Sequence, residues 1–351
     1  MNELCSSAHG RVNLIGDHTD YNDGFVLPMA IPACTRVSLR GRDDDCVHAW
    51  SREIGRWHSY RLGHEQRTGG WIDYVMGCTH ALRTAGFELG GVELRIESDV
   101  PLGSGLSSSA ALEVALLRAL RDAFSLEFDD VELALLGQRA ENELVGAPVG
   151  VMDQLCASLG TVGTAMLIDT RSLAWRAVAV PDDIEVLVIA SGIRHDHAAG
   201  DYRVRRAECE QAARLLGVAS LRELGPDDAS CIAALPAPLG RRVAHVLGEN
   251  QRVLAAVAAL EHSDHAVLAR VFAESHASLR DDFEVSIAPI DALVTIALAE
   301  PQVFAARLTG GGFGGSIVAL AEAGTGPDVT QRIVARYAEQ TGHTAEVLLA
   351  G

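Results

Sequence analysis

The clearest local pattern in the chain is at Val92 to Ile96, where apolar and charged residues alternate as Val-Glu-Leu-Arg-Ile, the period of a strand with one buried face. A glycine-rich turn, Pro101 to Gly105, follows. From Ser107 to Phe124 the period changes, with alanines and leucines recurring at helical spacing behind serines placed in the first turn. The spacing predicts a second helix over Val131 to Val145 and the start of a third over Met152 to Ser158, with the turn Gly146-Ala147-Pro148-Val149-Gly150 between them. Upstream, Val12 to Arg40 reads as short strands interrupted by the turn-rich stretch Asp17 to Gly24, in which Asn22-Asp23-Gly24 is a strong turn signal. Downstream come a strand near Met166 to Asp169, a turn at Pro181-Asp182-Asp183 and an apolar run at Val186 to Ala190. Helical patterns over Tyr202 to Leu216 and Gln251 to Leu260 then alternate with strand-like runs, and Thr309 to Gly315 lies between two strand candidates. There is no repeat at solenoid periods and no low-complexity tract.

A length of 351 residues exceeds what one hydrophobic core usually serves, so two domains are expected, divided close to the Pro181 turn as 1–180 and 181–351. With 48% hydrophobic and 22% charged residues the chain has the material to fold. A net charge of -18 opposes binding to a polyanionic backbone, and the one basic cluster, Arg203, Arg205 and Arg206, runs into Glu208 and Glu210 and reads as a solvated helix face. Seven cysteines without a C-x-x-C pair indicate neither a disulfide framework nor a zinc site. The first ten residues lack a secretory signal pattern and no apolar run approaches a membrane span, so a soluble, cytoplasmic protein is expected.

Three segments carry candidate chemistry. In Pro101-Leu-Gly-Ser-Gly-Leu-Ser-Ser-Ser-Ala-Ala111 the glycines allow close approach of the backbone to an anion, and a helix begins directly afterwards, so free N–H groups and the helix dipole converge. Gly103, Ser104, Gly105, Leu106, Ser107, Ser108 and Ser109 are the candidate phosphate contacts, and the serine hydroxyls could also ligate Mg²⁺. Taken alone, the segment fits a plain glycine turn with a serine cap equally well, and no Lys follows to make a Walker sequence. In Gly10-Arg-Val-Asn-Leu-Ile-Gly-Asp-His-Thr-Asp-Tyr-Asn-Asp-Gly24, the side chains of Asp17, His18, Asp20 and Asn22 offer a density of acceptors suited to sugar hydroxyls, or form an ordinary Asx-rich turn; the order does not match a calcium loop. Gly146-Ala-Pro-Val-Gly-Val-Met-Asp153-Gln places a carboxylate at a helix start, where it could accept a proton or merely complement the dipole.

These segments in this order, with Leu308-Thr-Gly-Gly-Gly-Phe-Gly-Gly-Ser316, resemble the GHMP kinase superfamily, and within it the galactokinase family. The first segment and its tail Val-Leu-Pro-Met-Ala-Ile31 are similar to the galactokinase signature, the second to the superfamily phosphate motif and the last to its C-terminal glycine motif. Arg194-His195 through Tyr202-Arg-Val-Arg-Arg206 and Leu279 to Val285 also resemble family blocks, so the likeness covers nearly the whole chain.

The resemblance implies a two-lobed α+β fold with a ribosomal-S5-like N-terminal domain, a ferredoxin-like C-terminal domain and an active site in the cleft between them. It implies phosphoryl transfer from ATP to the C1 hydroxyl of D-galactose, with Mg²⁺ as metal. Asp153 would be the catalytic base and Arg11 would stabilise phosphoryl charge and keep that aspartate ionised. Glu141 would ligate the metal together with Ser108 or Ser109. Asp17, His18, Asp20, Gly150, Asp153 and Tyr202 would hold the sugar, and Trp71 and Tyr74 would lie near the nucleotide base. The expected partners are the sugar and ATP, without nucleic acid or membrane; a monomer is expected, with oligomers left open.

Several positions depart from the family pattern. Asp17 stands where the signature has Glu, one methylene longer, which opens the question of the exact sugar. His9 replaces a usual Pro, Gly311 stands where Ala is commoner and Ser316 replaces a frequent Cys. The rival readings are the same chemistry on an amino sugar, a uronic acid or L-arabinose, a non-catalytic galactose and ATP sensor, and a kinase for an isoprenoid alcohol. The last leaves the polar loop at Asp17 to Asn22 without a purpose.

Overall fold

The computed structural model describes residues 3–193 and 198–351; Arg194 and His195 of the family block lie outside the described residues. The first elements are β1 (Leu4–Asn13), β2 (Phe25–Val26), β3 (Pro28–Gly41), β4 (Cys46–Ser51), β5 (Arg56–Arg61), α1 (Ile72–Thr84) and β6 (Val92–Ser98). They are followed by α2 (Ser108–Phe124), α3 (Asp130–Ala140), α4 (Met152–Leu159), β7 (Thr164–Asp169), β8 (Ala174–Ala179), β9 (Ile184–Ala190) and α5 (Ala198–Leu216). The chain ends with α6 (Ala229–Ala233), α7 (Leu239–Glu261), α8 (His265–Asp281), α9 (Ala288–Leu298), β10 (Val303–Thr309), β11 (Ser316–Glu322), α10 (Gly326–Thr341) and β12 (Glu346–Ala350). Two compact units result. One comprises the chain up to Arg11, Ala30–Leu102 and Leu106–Gly163; the other comprises Val12–Met29, Gly103–Gly105 and Thr164–Gly351.

In the first unit β3 pairs with β1 and with β6, β6 runs parallel to β4, and β4 is antiparallel to β5. The alternation in β6 works as expected: Val92, Leu94 and Ile96 are buried and join Val37, Leu39 and Val47 in a core covered by α1 to α4. Helix α2 is buried around most of its circumference, which explains its near-continuous Ala and Leu composition. Helix α3 begins on a capping box, in which the Asp129 carboxylate accepts from the N–H groups of Val131 and Glu132 while Glu132 accepts from the Asp129 N–H. The helix expected over Val131 to Val145 departs from α geometry after Ala140, and Glu141–Val145 widens into a π-turn. The Glu141 carbonyl accepts from both Gly146 and Ala147 N–H groups, and the left-handed Gly146 ends the helix there. This widened turn sets the direction of Glu141.

The second unit contains a four-stranded antiparallel sheet in the order β10-β11-β9-β12. In chain order the strands are first, second, third and fourth, so their spatial order is second, third, first, fourth, the ferredoxin-like arrangement expected for the C-terminal half. Its inward residues, among them Leu187, Ile189, Leu308, Ile317 and Ala319, form one core with α5, α7, α9 and α10. Strands β7 and β8 form an antiparallel pair in this unit, with β2 along β7 and Met29 of β3 paired to Ala165 of β7. The helix expected at Tyr202 to Leu216 is α5; of its basic cluster Arg203 is exposed, as a solvated face requires, whereas Arg205 and Arg206 are half-buried. Arg205 donates to Phe283 O at 2.7 Å and pairs with Glu208, and Arg206 pairs with Glu210 at 3.0 Å while lying over the Tyr21 ring. Arg205 is thereby held against the Phe283 loop, a contact that periodicity alone does not reveal. All seven cysteines are free.

Candidate active site

Arg11 leaves the sheet near the end of β1, and only glycine fits before it, since a Cβ at Gly10 would lie 2.7 Å from Leu106 O. The Arg11 N–H donates to that same carbonyl at 3.1 Å. Its guanidinium forks onto Asp153, Nε to Oδ1 and Nη2 to Oδ2, each at 2.7 Å. Asp153 sits in the first turn of α4, where the helix dipole favours negative charge. The Arg11 side chain is 6% exposed and that of Asp153 25%, so the carboxylate remains reachable while the guanidinium is sealed. Ser107 precedes α2 in a left-handed conformation and makes no side-chain cap; its hydroxyl donates instead to Asp153 Oδ2 at 2.5 Å.

Behind this pair lies a group of buried acids. Gln154 Nε2 donates at 3.0 Å to Glu113 Oε2 and at 3.0 Å to Glu141 Oε2, and Ser109 hydrogen-bonds Glu141. Burial, and then the charge of Asp153, push the Glu141 carboxyl up to about 7. Burial and the neighbouring Glu141 push Glu113 up as well. Ser108 opens α2 and is half-buried. The turn ahead of α4 is pinned by Asn142, whose Oδ1 accepts from the Val149 N–H at 2.8 Å and whose Nδ2 donates to Val149 O, which leaves Gly150 buried. Trp71 stands before α1 with its ring edge-on to His58 at 5.6 Å, and the Tyr74 phenol is pushed up by burial and then by Glu141.

The polar loop belongs to the second unit. Gly16 has φ +102°, and a Cβ there would lie 2.7 Å from Phe25 O. Asp17 is 3% exposed: Oδ2 accepts from Arg307 Nη2 at 2.5 Å and Oδ1 from the Gly310 N–H at 3.0 Å. His18 is left-handed, with Nδ1 2.8 Å from Tyr21 OH and its ring against Phe283 and Tyr202 at 4.7 and 5.3 Å. Burial, then the positive potential of His245, hold the His18 imidazole down at about 3, so it is neutral near pH 7. The backbone carbonyl of Asp20 accepts from Thr170 Oγ1 at 3.1 Å. Tyr202, on α5, faces the glycine turn, where a methyl at Gly311 would meet its ring at an ordinary 3.4 Å. Gly103 and Gly105 both have positive φ, and Ser104 O accepts from Ser316 Oγ at 2.8 Å.

The structure therefore assembles Arg11, Ser107, Ser109, Glu141 and Asp153 in one unit, and Asp17, His18 and Tyr202 in the other. Sequence reasoning missed Glu113 and Gln154 in the first set, and Arg307, Glu249 and His245 around the second. Two signals were present: an acid, Glu113, inside the otherwise apolar stretch Ala-Ala-Leu-Glu-Val-Ala-Leu-Leu of α2, and a lone cation, Arg307, inside the apolar strand Val-Phe-Ala-Ala-Arg-Leu-Thr. Among the described residues no group of three or more His, Cys, Asp or Glu is placed to hold a metal, and no helix is long and apolar enough to cross a membrane.

Models of known families match three parts of the chain: the GHMP kinases N terminal domain at residues 73–161, the GHMP kinases C terminal domain at 256–339 and the galactokinase galactose-binding signature at 2–40. With the fold they define a GHMP kinase. The galactokinase of Chloroflexus aggregans is 45% identical over 97% of this chain and 90% of its own length, and that of Pasteurella multocida 42% over 95% and 89%. The crystal structure of Lactococcus lactis galactokinase complexed with galactose aligns with a TM-score of 0.94 at 31% identity, covering 99% of this chain and 93% of that one. The mevalonate kinase of Methanococcus jannaschii, at 16% identity and a TM-score of 0.70, shares the fold, covering 99% of this chain and 98% of its own. The chain belongs to the galactokinase family.

Proposed function

We propose that the protein transfers the γ-phosphoryl group of ATP to the C1 hydroxyl of D-galactose, forming galactose 1-phosphate and ADP. The observation that carries this reading is the fork of Arg11 on a reachable Asp153. Asp153 accepts the proton of the sugar hydroxyl as oxygen attacks phosphorus. Arg11 orients the carboxylate and offsets charge that builds on the transferring group, and Ser107 restrains the same carboxylate. The donors fit an oxygen-seeking cation: Glu141 and Ser109 lie within hydrogen-bonding reach of each other, Ser108 adjoins them, and Mg²⁺ uses one or two protein oxygens beside substrate phosphates. When bound, Mg²⁺ would neutralise phosphate charge. A neighbouring dication would also favour the ionised form of Glu141.

His18, Asp20, Gly150 and Tyr202 are assigned to the sugar. Asp17 joins them, because a carboxylate has about four lone-pair sites and the contacts to Arg307 and Gly310 leave room for a hydroxyl. Gly103 to Ser109 are assigned to the ATP phosphates, Trp71 and Tyr74 to the base. The two GHMP domains are divided near residue 180. We place the protein in the cytoplasm as a monomer.

ADP release measured over a panel of galactose, galactosamine, galacturonic acid and L-arabinose tests the assignment. Fastest turnover of galactose is expected. Rapid turnover of another sugar with none of galactose would overturn it, and no turnover of any would favour the sensor.

A further inference from the structure

Buried polar contacts fasten the start of the sugar loop on two sides. From β10, Thr309 Oγ1 donates to Asn13 O at 2.7 Å, Arg307 Nη1 to Leu14 O at 2.9 Å and Arg307 Nη2 to Asp17 Oδ2 at 2.5 Å. From α7, Glu249 Oε1 accepts the Gly16 N–H at 3.1 Å, and His245 Nε2 lies 3.1 Å from Asp17 O. Glu249 also accepts from Ser275 Oγ and Arg252 Nε, both at 2.7 Å, and lies 3.8 Å from Arg307. Arg307, Glu249 and His245 expose none of their surface.

Such a lattice is costly, because charges removed from water recover the loss only with good geometry and full hydrogen bonding. An apolar core would hold a loop as firmly. What this lattice holds is backbone of positive φ, natural to Gly16 at +102° but strained at His18 at +64°, with its polar groups withdrawn from water. Such conformations persist only where the surroundings over-determine them. The contacts reach backbone atoms of Asn13, Leu14, Gly16 and Asp17, the residues that immediately set the direction of His18.

We propose that Arg307 and Glu249 are positioning residues for sugar recognition. With Asp17 as their anchor, they fix the backbone of residues 13–18 so that His18 and Asp20 meet the sugar hydroxyls, and the main work of Asp17 is this anchoring. The proposal rests on the reading that this loop holds the sugar.

The test is steady-state kinetics of the full chain with sugar and ATP varied independently, using whichever sugar the unaltered protein phosphorylates fastest. Arg307→Lys keeps the charge but cannot span Leu14 O and Asp17 together. Thr309→Val keeps the shape and removes a single donor. The expected result is a rise in sugar KM of about tenfold or more for Arg307→Lys and about three- to fivefold for Thr309→Val, with ATP KM changed less than about twofold. A merely structural role would reduce the fraction of active enzyme, lowering kcat with both KM values unmoved; that result, or equal rises in both, overturns the proposal. Should Arg307→Lys fail to fold, Thr309→Val decides by the same split. Should the unaltered protein phosphorylate no sugar, the functional reading fails separately, and calorimetric galactose affinities of the same variants decide: weakened binding supports positioning, unchanged binding overturns it.

Discussion

Two arginine–aspartate pairs draw on the same N-terminal stretch of chain, and solvent treats them differently. In the Arg11–Asp153 pair the carboxylate keeps a quarter of its surface, whereas in Arg307–Asp17 the two side chains are 0% and 3% exposed. The ionic chemistry is the same in both. A reachable carboxylate can take a proton from a ligand; a sealed one, with an arginine on one oxygen and a backbone N–H on the other, chiefly holds the chain. Burial, which follows from which elements pack over each pair, separates chemistry from positioning where residue type does not.

The comparison is broken most directly at the reachable acid. Asp153→Asn keeps the shape and removes the base, so kcat is expected to fall by a factor of about 10² to 10⁴ in protein whose circular dichroism shows that it still folds. Activity within a few-fold of the unaltered protein would show that Asp153 does not carry the proton. At the sealed pair the largest effect should be on stability. Arg307→Met leaves Asp17 and Glu249 buried without their shared cation, and a loss of about 3–5 kcal/mol is expected in urea unfolding. A change below about 1 kcal/mol would mean that the lattice is far looser than its distances imply.

Acid sharpens the contrast further. Burial holds His18 down at about 3, so between pH 6.5 and 3 the unfolded chain binds a proton that the folded chain refuses. The stability is present above about pH 6.5 and is lost as pH falls, at up to about 1.4 kcal/mol per unit. His276, held down at about 4 by burial, adds to the same trend, and Glu249, pulled to about 2 by Arg252 and Arg307 against the opposing effect of burial, adds below pH 4.5. Unfolding free energies from urea titrations at pH 7 and pH 5 should differ less in His18→Asn, by up to about 2 kcal/mol; an equal difference in both proteins would remove His18 from the account. The smallest effect belongs to a third pair, Arg36–Asp99, at 2.7 Å but 55% and 59% exposed. Arg36→Ala should move the melting temperature by less than about 2 °C, since exposed pairs are screened by water and salt.

Much of the fold could be read along the chain because it rests on local periodicity. The alternation at Val92 to Ile96, the helix after Ser107 and the strand at Val186 to Ala190 all formed where the pattern placed them. The π-turn at Glu141–Val145 was not legible, because it depends on how Gly146 and Ala147 share one carbonyl. The place of Arg205 was not legible for a related reason: its partners at Phe283 and Glu284 lie about 80 residues away in the chain.

The candidate site divides along the same line. The motifs around Arg11, Asp17 to Asn22, Gly103 to Ser109 and Asp153 were legible as candidate chemistry, since loops that bind charged or hydroxylated ligands need particular residue types at short spacing. No local spacing could name the partner of Asp17, which stands 290 residues away at Arg307, or join Glu113 to Glu141 through Gln154. Residue type and short-range period follow from the chain alone. Which carboxylate stays open to a substrate and which is sealed depends on distant elements closing over it.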